Sequence, residues 1–552
     1  MAMLPLLTLF VLLGVLRMTA WKAALIALTV SLAVAIFGYS MPAGQALLAT
    51  TEGAAFGFFP ILYIVISAIW IYNMTVATGH SDVLRRSFAR ISDDQRIQAV
   101  IVAFCFGGLL EALAGFGTPV AISSVMLMGL GFKPIKAAVV ALLANTAPVA
   151  FGALAVPITT LATVSGIDEQ RLASIVGRQT PLLALFIPMA LVFVIDRWKG
   201  VKETLPATLA CGITFAVAQF VVSNFISVQL TDIVASLLGA AAVVVVLRFW
   251  HPAHHYVEAP DTDAVATSGG TPALASAAVG GSGSGSTGAG RGLAAELAEK
   301  DSHAHDNSAQ VFKAYAPYII IVVVFSLAAL ITPLKDFLAA RTLAFSWPGL
   351  DLQTASGKAS TLPTFKFNWA ASGGTLLLLS GLLTIPVIAI APAKALKAYL
   401  GTYLQLKFAI VTVMAVLGLA YVMNSSGQTA TLGLWLAGAG AAFALLSPIL
   451  GWLGVAVTGS DTSSNALFGA LQVSAANKAG LSPALMAAAN SSGGVLGKMV
   501  SPQNLAIAAA AVGMSGKEGD IFRKVIGWSL GLLLVMMVLV FLQSNVLAWM
   551  LP

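Results

Sequence analysis

The chain has 552 residues, of which 58% are hydrophobic and only 9% charged, against about 25% charged in an ordinary soluble domain. Its net charge is +7 and its mean hydropathy is +0.92. These values exclude a soluble enzyme and leave a polytopic, all-α membrane protein; basic residues scattered in short loops between apolar runs are topology signals, not a nucleic-acid patch.

A crossing needs about 20 apolar residues. In chain order, candidate spans fall at 2–16, 23–38, 54–78, 135–163, 180–195, 206–226 and 229–248. The first has no basic residue before its apolar run and no small-residue cleavage site, so it reads as a helix and not as a removable signal. A polar break at 251–312 contains TSGGTPALASAAVGGSGSGSTGAG, a flexible linker expected on the cytoplasmic side, followed by the short amphipathic piece LAAELAEK. Beyond it lie spans at 314–332, 369–391, 408–424, 483–513 and 524–550, with a second polar loop at 334–368. The expectation is therefore about twelve crossings, in an N-terminal half (1–250) and a C-terminal half (313–552).

Two more apolar stretches, 97–131 and 430–478, are broken near their middles by glycine and polar residues. Read as re-entrant hairpins, they let most of the 29 Lys and Arg residues fall on one side, which the positive-inside rule makes cytoplasmic. Both termini then face outward. The second break, TGSDTSSNALFG at 458–469, is a polar island in apolar sequence, and polar groups at membrane depth must be buried in protein or line a wet cavity.

The halves correspond in order. Gly115-Phe-Gly-Thr118 matches Gly459-Ser-Asp-Thr462, Ala144-Asn145-Thr146 matches Ala489-Asn490-Ser491, and Pro157 matches Pro502. With one hairpin opening to each side, the halves form an inverted repeat, a design of secondary transporters with broken helices near the midplane.

Three ionisable side chains stand out in apolar sequence: Glu111, Asp461 and Lys498. Either acid suits a proton carrier, or a buried structural ion pair. Lys498 suits pairing with an acid, attraction of an anionic substrate, or snorkelling to the interface. The segments ANTAPVAFG (144–152) and ANSSGGVLGKMVSPQN (489–504) place Asn, Ser or Thr beside Gly and Pro, so each span is expected to unwind there. Half-helix N-termini can hold a carboxylate without arginine, although small residues also serve helix packing. Candidate substrate contacts are Gly115, Gly117, Thr118, Asn145, Thr146, Ser460, Thr462, Ser463, Ser464, Asn465, Asn490, Ser491, Ser492, Lys498 and Gln503. Cys105 and Cys211 lie in apolar runs without neighbouring ligands, so neither a metal site nor a cofactor is expected.

The strings EALAGFGTPVAI (111–122), ANTAPVAFGALAVPI (144–158), GWLGVAVTGSDTSSNALFGALQ (451–472) and NSSGGVLGKMVSPQNLAIAAAAVG (490–513) resemble the bacterial L-lactate permease family, and the resemblance runs from the first span to the last. It implies a bacterial inner-membrane symporter that imports L-lactate with a proton, and D-lactate or glycolate as well. A likeness to the wider group of hairpin-containing ion transporters implies an elevator-like motion. The alternative is a sodium-coupled carrier for another small organic anion, since polar hairpin tips suit Na⁺ as well as a proton. An intramembrane aspartyl protease would need two facing aspartates, and no second one is expected in the spans. The oligomeric state is left open, a homo-oligomer included.

Overall fold

The computed structural model describes residues 1–258 except Arg17, Arg90 and Phe116, then 306–351 and 364–552. The Gly/Ser/Ala linker and the piece LAAELAEK lie outside the described residues.

The protein is all-α and largely membrane-embedded. Among the described residues, eight helices are long and apolar enough to cross a bilayer, or nine if the bent pair Pro134–Ala144 and Val149–Ser165 counts as one span. The small antiparallel pair Leu343–Ser346 and Thr364–Phe367 is the exception, in the polar loop expected at 334–368. That loop lies against one membrane helix, Ala43–Phe56: Trp347 Nε1 donates to Thr51 Oγ1, and Gln45 Nε2 to the Gly349 carbonyl.

Helices form here because apolar runs in lipid must satisfy every backbone group internally. The run Ile187–Phe225 shows the consequence for its two faces. Leu205, Leu209, Ile213, Val217 and Val221 recur every four residues and are exposed, whereas Thr204, Thr208, Gln219 and Ser223 are buried. Apolar outside and polar inside is the reverse of a soluble helix, so the outer stripe faces lipid.

Length explains part of the difference between eight or nine helices and the twelve expected spans. The stretch Glu169–Phe225 counts as one candidate of 57 residues, yet a straight helix of that length would reach about 86 Å, far beyond a bilayer of about 30 Å. It turns at Asp196 and Arg197, where φ/ψ are −135°/20° and 53°/−152°. Thr231–Leu247 and Gly373–Val387 are apolar helices below the length threshold. Conversely, Ala43–Ala77 forms one 35-residue run where only 54–78 was expected.

Within each stretch predicted as a hairpin, two helices are joined at a glycine turn. In the first, helical residues 95–114 turn at Gly115–Gly117 into the helix Thr118–Gly129. Its two ends meet, since Gln95 Nε2 donates to the Leu130 carbonyl (2.6 Å). Gly115 (φ 37°) and Gly117 (φ 84°) make the turn in backbone conformations that other residues adopt only at a cost. The second hairpin is shorter than its predicted stretch. Gln428–Ala437 is a separate helix, and the hairpin consists of Phe443–Thr458 and Asp461–Ala479, turning at Gly459 (φ 77°). The glycines at 438 and 440 and the short 3₁₀ turn at Gly440–Ala442 divide what apolar composition alone joined.

A broken helix follows each hairpin. Pro134–Ala144 is bent by 63° from the segment ending at Ser165, and Pro483–Gly497 gives way through Lys498–Val500 to Pro502–Ala511. The packing is reciprocal. The second half of the first broken helix lies along Asp461–Ala479, and that of the second lies along Thr118–Gly129.

The polar loops meet in one buried knot. Arg96 donates to Asp94, Asp196 and Glu203 and to the His254 carbonyl, while Lys136 pairs with Glu258 at 2.7 Å. Loops assigned to one side of the membrane from charge alone are thus joined to each other.

Candidate functional site

The broken helices and hairpin tips build two matching carboxyl sites. In the first, Glu111 precedes the tip of the first hairpin and is 3% exposed. Its Oε2 accepts from Asn145 Nδ2 at 2.9 Å, at the point where the first broken helix unwinds. Gly152 of the same broken helix faces the carboxyl closely; a Cβ there would stand 2.8 Å from Glu111 Oε1. The next three residues, Ala153, Leu154 and Ala155, all have positive φ (45°, 55° and 59°), so the chain holds strained backbone beside this carboxyl.

In the second site, Asp461 follows the second tip and is also 3% exposed. Its Oδ2 accepts from Ser491 Oγ (2.6 Å) and Asn465 Nδ2 (3.3 Å), and its buried Oδ1 has no partner. Gly494 of the second broken helix faces it, where a Cβ would collide with Oδ1. Each acid is therefore held by a polar side chain and given room by a glycine of the broken helix that follows its hairpin. Gly152→Ala and Gly494→Ala are expected to displace these carboxyls and to lower the melting temperature of the detergent-solubilised protein, whereas Gly527→Ala and Gly531→Ala, where a Cβ meets nothing within 4 Å, are expected to leave it unchanged.

The halves are tied across their interface. Lys498 Nζ, from the unwound part of the second broken helix, donates to Glu111 Oε1 at 2.6 Å. It is 6% exposed, so it pairs with an acid instead of snorkelling. Asn465 Nδ2 reaches the Pro157 carbonyl of the first half (3.1 Å). Asn490 Nδ2 donates to Asn465 Oδ1 (2.9 Å), and Gln472 Nε2 to Asn490 Oδ1 (3.1 Å), which completes a buried amide chain.

The tips converge on the start of Pro502–Ala511. A Cβ on Gly117 would strike Ile507, and one on Gly459 would stand 2.5 Å from Gln503 Oε1. Asn504 Nδ2 donates to the Gly459 carbonyl (3.3 Å). Three helix N-termini, at Thr118, Asp461 and Pro502, are thereby brought near one another, and each carries partial positive charge that favours an anion. Thr118, Ser460 and Thr462 are partly exposed and Gln503 is exposed. Thr462 and Ser463 line a narrow crevice against Val413, Val416 and Leu417 of the long helix Pro392–Ser426.

The remaining candidates lie in this frame. Thr146 turns back on the Leu143 carbonyl (2.6 Å), and Ser464 Oγ bonds the Gly451 carbonyl (3.1 Å), so both serve the local backbone. Gly115 sits over Glu111 and Ala153. Ser492 Oγ and Asn145 Oδ1 are buried without a partner.

Two buried acids inside membrane helices escaped the sequence reading. Glu52 is 1% exposed in Ala43–Phe56, a helix that begins before the expected span, where Thr-Thr-Glu-Gly reads as loop. Asp232 is fully buried at the start of Thr231–Leu247. It lies inside the predicted span 229–248, close enough to its end to pass for an interfacial residue. Contrary to expectation, Asp232 is therefore a second buried aspartate. It does not face Asp461, because its partner is Gln219.

A family model described as L-lactate permease matches residues 1–547. The chain is 38% identical to an L-lactate permease of Bacillus subtilis (strain 168), over 100% of this chain and 96% of that protein. It is 39% identical to an L-lactate permease and to a glycolate permease of Escherichia coli (strain K12), each over 100% of this chain and 96% of the relative.

Proposed function

Since the chain belongs to the L-lactate permease family, we propose that it is a secondary transporter, not an enzyme, that imports L-lactate, and with it D-lactate and glycolate, across the bacterial inner membrane in symport with protons. The substrate names are those of relatives aligned along the whole chain. The observation that carries the coupling is the pair of buried carboxyls between the two halves, Glu111 closed by Lys498 and Asp461 with one oxygen unpartnered.

The cycle follows from charge. A bound carboxylate brings a negative charge into a site that already holds Glu111 and Asp461, with Lys498 as the cation paired there. Burying an uncompensated charge costs several kcal/mol, so a proton on Asp461 makes the loaded carrier the state that crosses. The substrate carboxylate lies at the converged helix N-termini, with Thr118, Ser460, Thr462 and Gln503 within reach of its oxygens and hydroxyl.

The topology belongs to the same reading. Twelve crossings with two re-entrant hairpins form an inverted repeat, the Arg96 knot lies on the cytoplasmic side, and the halves are joined by the linker. The reciprocal packing of each broken helix on the other half's hairpin supports it. The crevice between Thr462–Ser463 and Pro392–Ser426 is where the hairpin unit slides against its frame in an elevator-like step.

The test is uptake of labelled L-lactate into Na⁺-free proteoliposomes, with glycolate, D-lactate and pyruvate as competitors. Uptake driven by an inward pH gradient and reduced by excess glycolate and D-lactate is expected. Uptake that requires Na⁺ at fixed pH would replace this reading with the sodium-coupled carrier.

A further inference from the structure

Asp232 is a buried acid that the cycle above does not use. Its Oδ1 accepts from Gln219 Nε2 at 3.0 Å, and its Oδ2 is buried without a partner. Gln219 is itself fully buried and held at both ends. Its Nε2 also reaches the Ala147 carbonyl (3.3 Å), in the unwound stretch two residues after Asn145, and its Oε1 accepts from Thr180 Oγ1 (3.3 Å). Asn145 in turn donates to Glu111. Asp232 and Glu111 are therefore both tied, through Gln219 and Asn145, to the same break in the first broken helix, with the backbone of residues 145–147 between the two contacts.

The helix that carries Asp232 packs directly on the arm of the first hairpin that bears Glu111. Ser236, one turn on from Asp232, faces Gly108 of that arm, one turn before Glu111. The thiols of Cys105 and Cys211 lie about two turns from Asp232, near Gly239. Among the described residues, Asp232 has no cation as partner; the one hydrogen bond of its side chain is with Gln219.

We infer that Asp232 is a proton-binding positioning residue that acts through Glu111 and sets how firmly Glu111 holds Lys498. Three acids, Glu111, Asp461 and Asp232, share this buried region with Lys498, whose ion pair goes to Glu111. With a proton on Asp232, Lys498 has only the Glu111 carboxylate as its partner in this part of the site. When that proton is lost, the new negative charge competes with Glu111 for Lys498 and loosens the pair, so that Lys498 Nζ is free to meet the substrate carboxylate.

This inference rests on the proton-symport reading, and the test separates the two. Wild-type and Asp232→Asn proteins are reconstituted without Na⁺, and L-lactate accumulation is measured across external pH. Wild type that fails to accumulate lactate under a pH gradient contradicts the symport reading whatever Asp232 does. With wild type active, the asparagine variant is expected to lose at least tenfold in gradient-driven accumulation and one step of its pH profile, while lactate counterflow continues. An unchanged accumulation and pH profile overturns the inference. Should the asparagine variant fail to fold, Asp232→Glu keeps the acid and is read by infrared difference spectroscopy on a pH jump. The neutral-carboxyl band then shifts from its wild-type position. A spectrum identical to wild type overturns the inference.

Discussion

Replacing Lys498 with methionine is expected to reduce lactate uptake to background and to destabilise the protein, and adding Glu111→Gln is expected to restore stability without restoring transport. The ion pair is short at 2.6 Å and both side chains are nearly fully buried. Removing one member of such a pair leaves an uncompensated buried charge, at a cost of about 3–5 kcal/mol, whereas replacing both with neutral groups is often close to neutral. A double-mutant cycle in thermal unfolding of the detergent-solubilised protein reads this directly. Transport should not follow stability in the proposed cycle, because the pair joins the first hairpin to the second broken helix beside the site proposed for the substrate anion, and the double variant has neither of its charges. Uptake recovered in the double variant would reduce the pair to a structural tie.

The second large effect is expected at Asp461. Asp461→Asn keeps the size of the side chain and can still accept from Ser491 and Asn465, but it cannot gain or lose a proton. Net uptake against a gradient should fall at least a hundredfold, because a carrier locked in the neutral form can exchange lactate but cannot return empty with its charge changed. Counterflow of labelled for unlabelled lactate should persist and lose its dependence on pH. Asp461→Ala is a harsher change, because it leaves Ser491 Oγ without its buried acceptor, at about 1–3 kcal/mol, and takes from Asn465 Nδ2 one of its two acceptors, the Pro157 carbonyl remaining. Comparing the two variants separates loss of the proton from loss of the local fold.

Much of this site was legible in the sequence because lipid makes polar residues informative. Asp461 and its hydroxyl neighbours stood out against apolar sequence, and the ordered match of Gly115 and Asn145 with Gly459 and Asn490 fell on two glycine turns and two helix breaks. Burial of a charge is costly enough that such residues have few bland explanations. Partnership was harder to read. Lys498 could be assigned an acid, an anion or the interface, and only folding shows that its acid is Glu111, from the other half of the chain. Asn465 likewise turned out to support Asp461 and the Pro157 carbonyl at once, which no spacing reveals.

The misses have a common physical cause. A window of hydropathy finds the middle of a span and blurs its ends, and Glu52 and Asp232 both lie where a helix continues past or begins near the expected limit. The same blurring merged Gln428–Ala437 with the second hairpin. Membrane composition also hides side: Leu205 and Thr204 are neighbours in sequence, yet one meets lipid and the other the core. Only the four-residue recurrence of the lipid-facing set separates them.

The most direct measurement of the central claim is proton movement driven by substrate. Purified protein is placed in Na⁺-free vesicles with a pH-sensitive dye inside and no initial pH gradient, and an inward L-lactate gradient is imposed. Lumenal acidification is expected in wild type, at a rate proportional to lactate entry, and is expected to vanish in both Asp461→Asn and Glu111→Gln. Lactate entry without acidification, or acidification retained in both variants, would contradict proton symport through these two buried carboxyls.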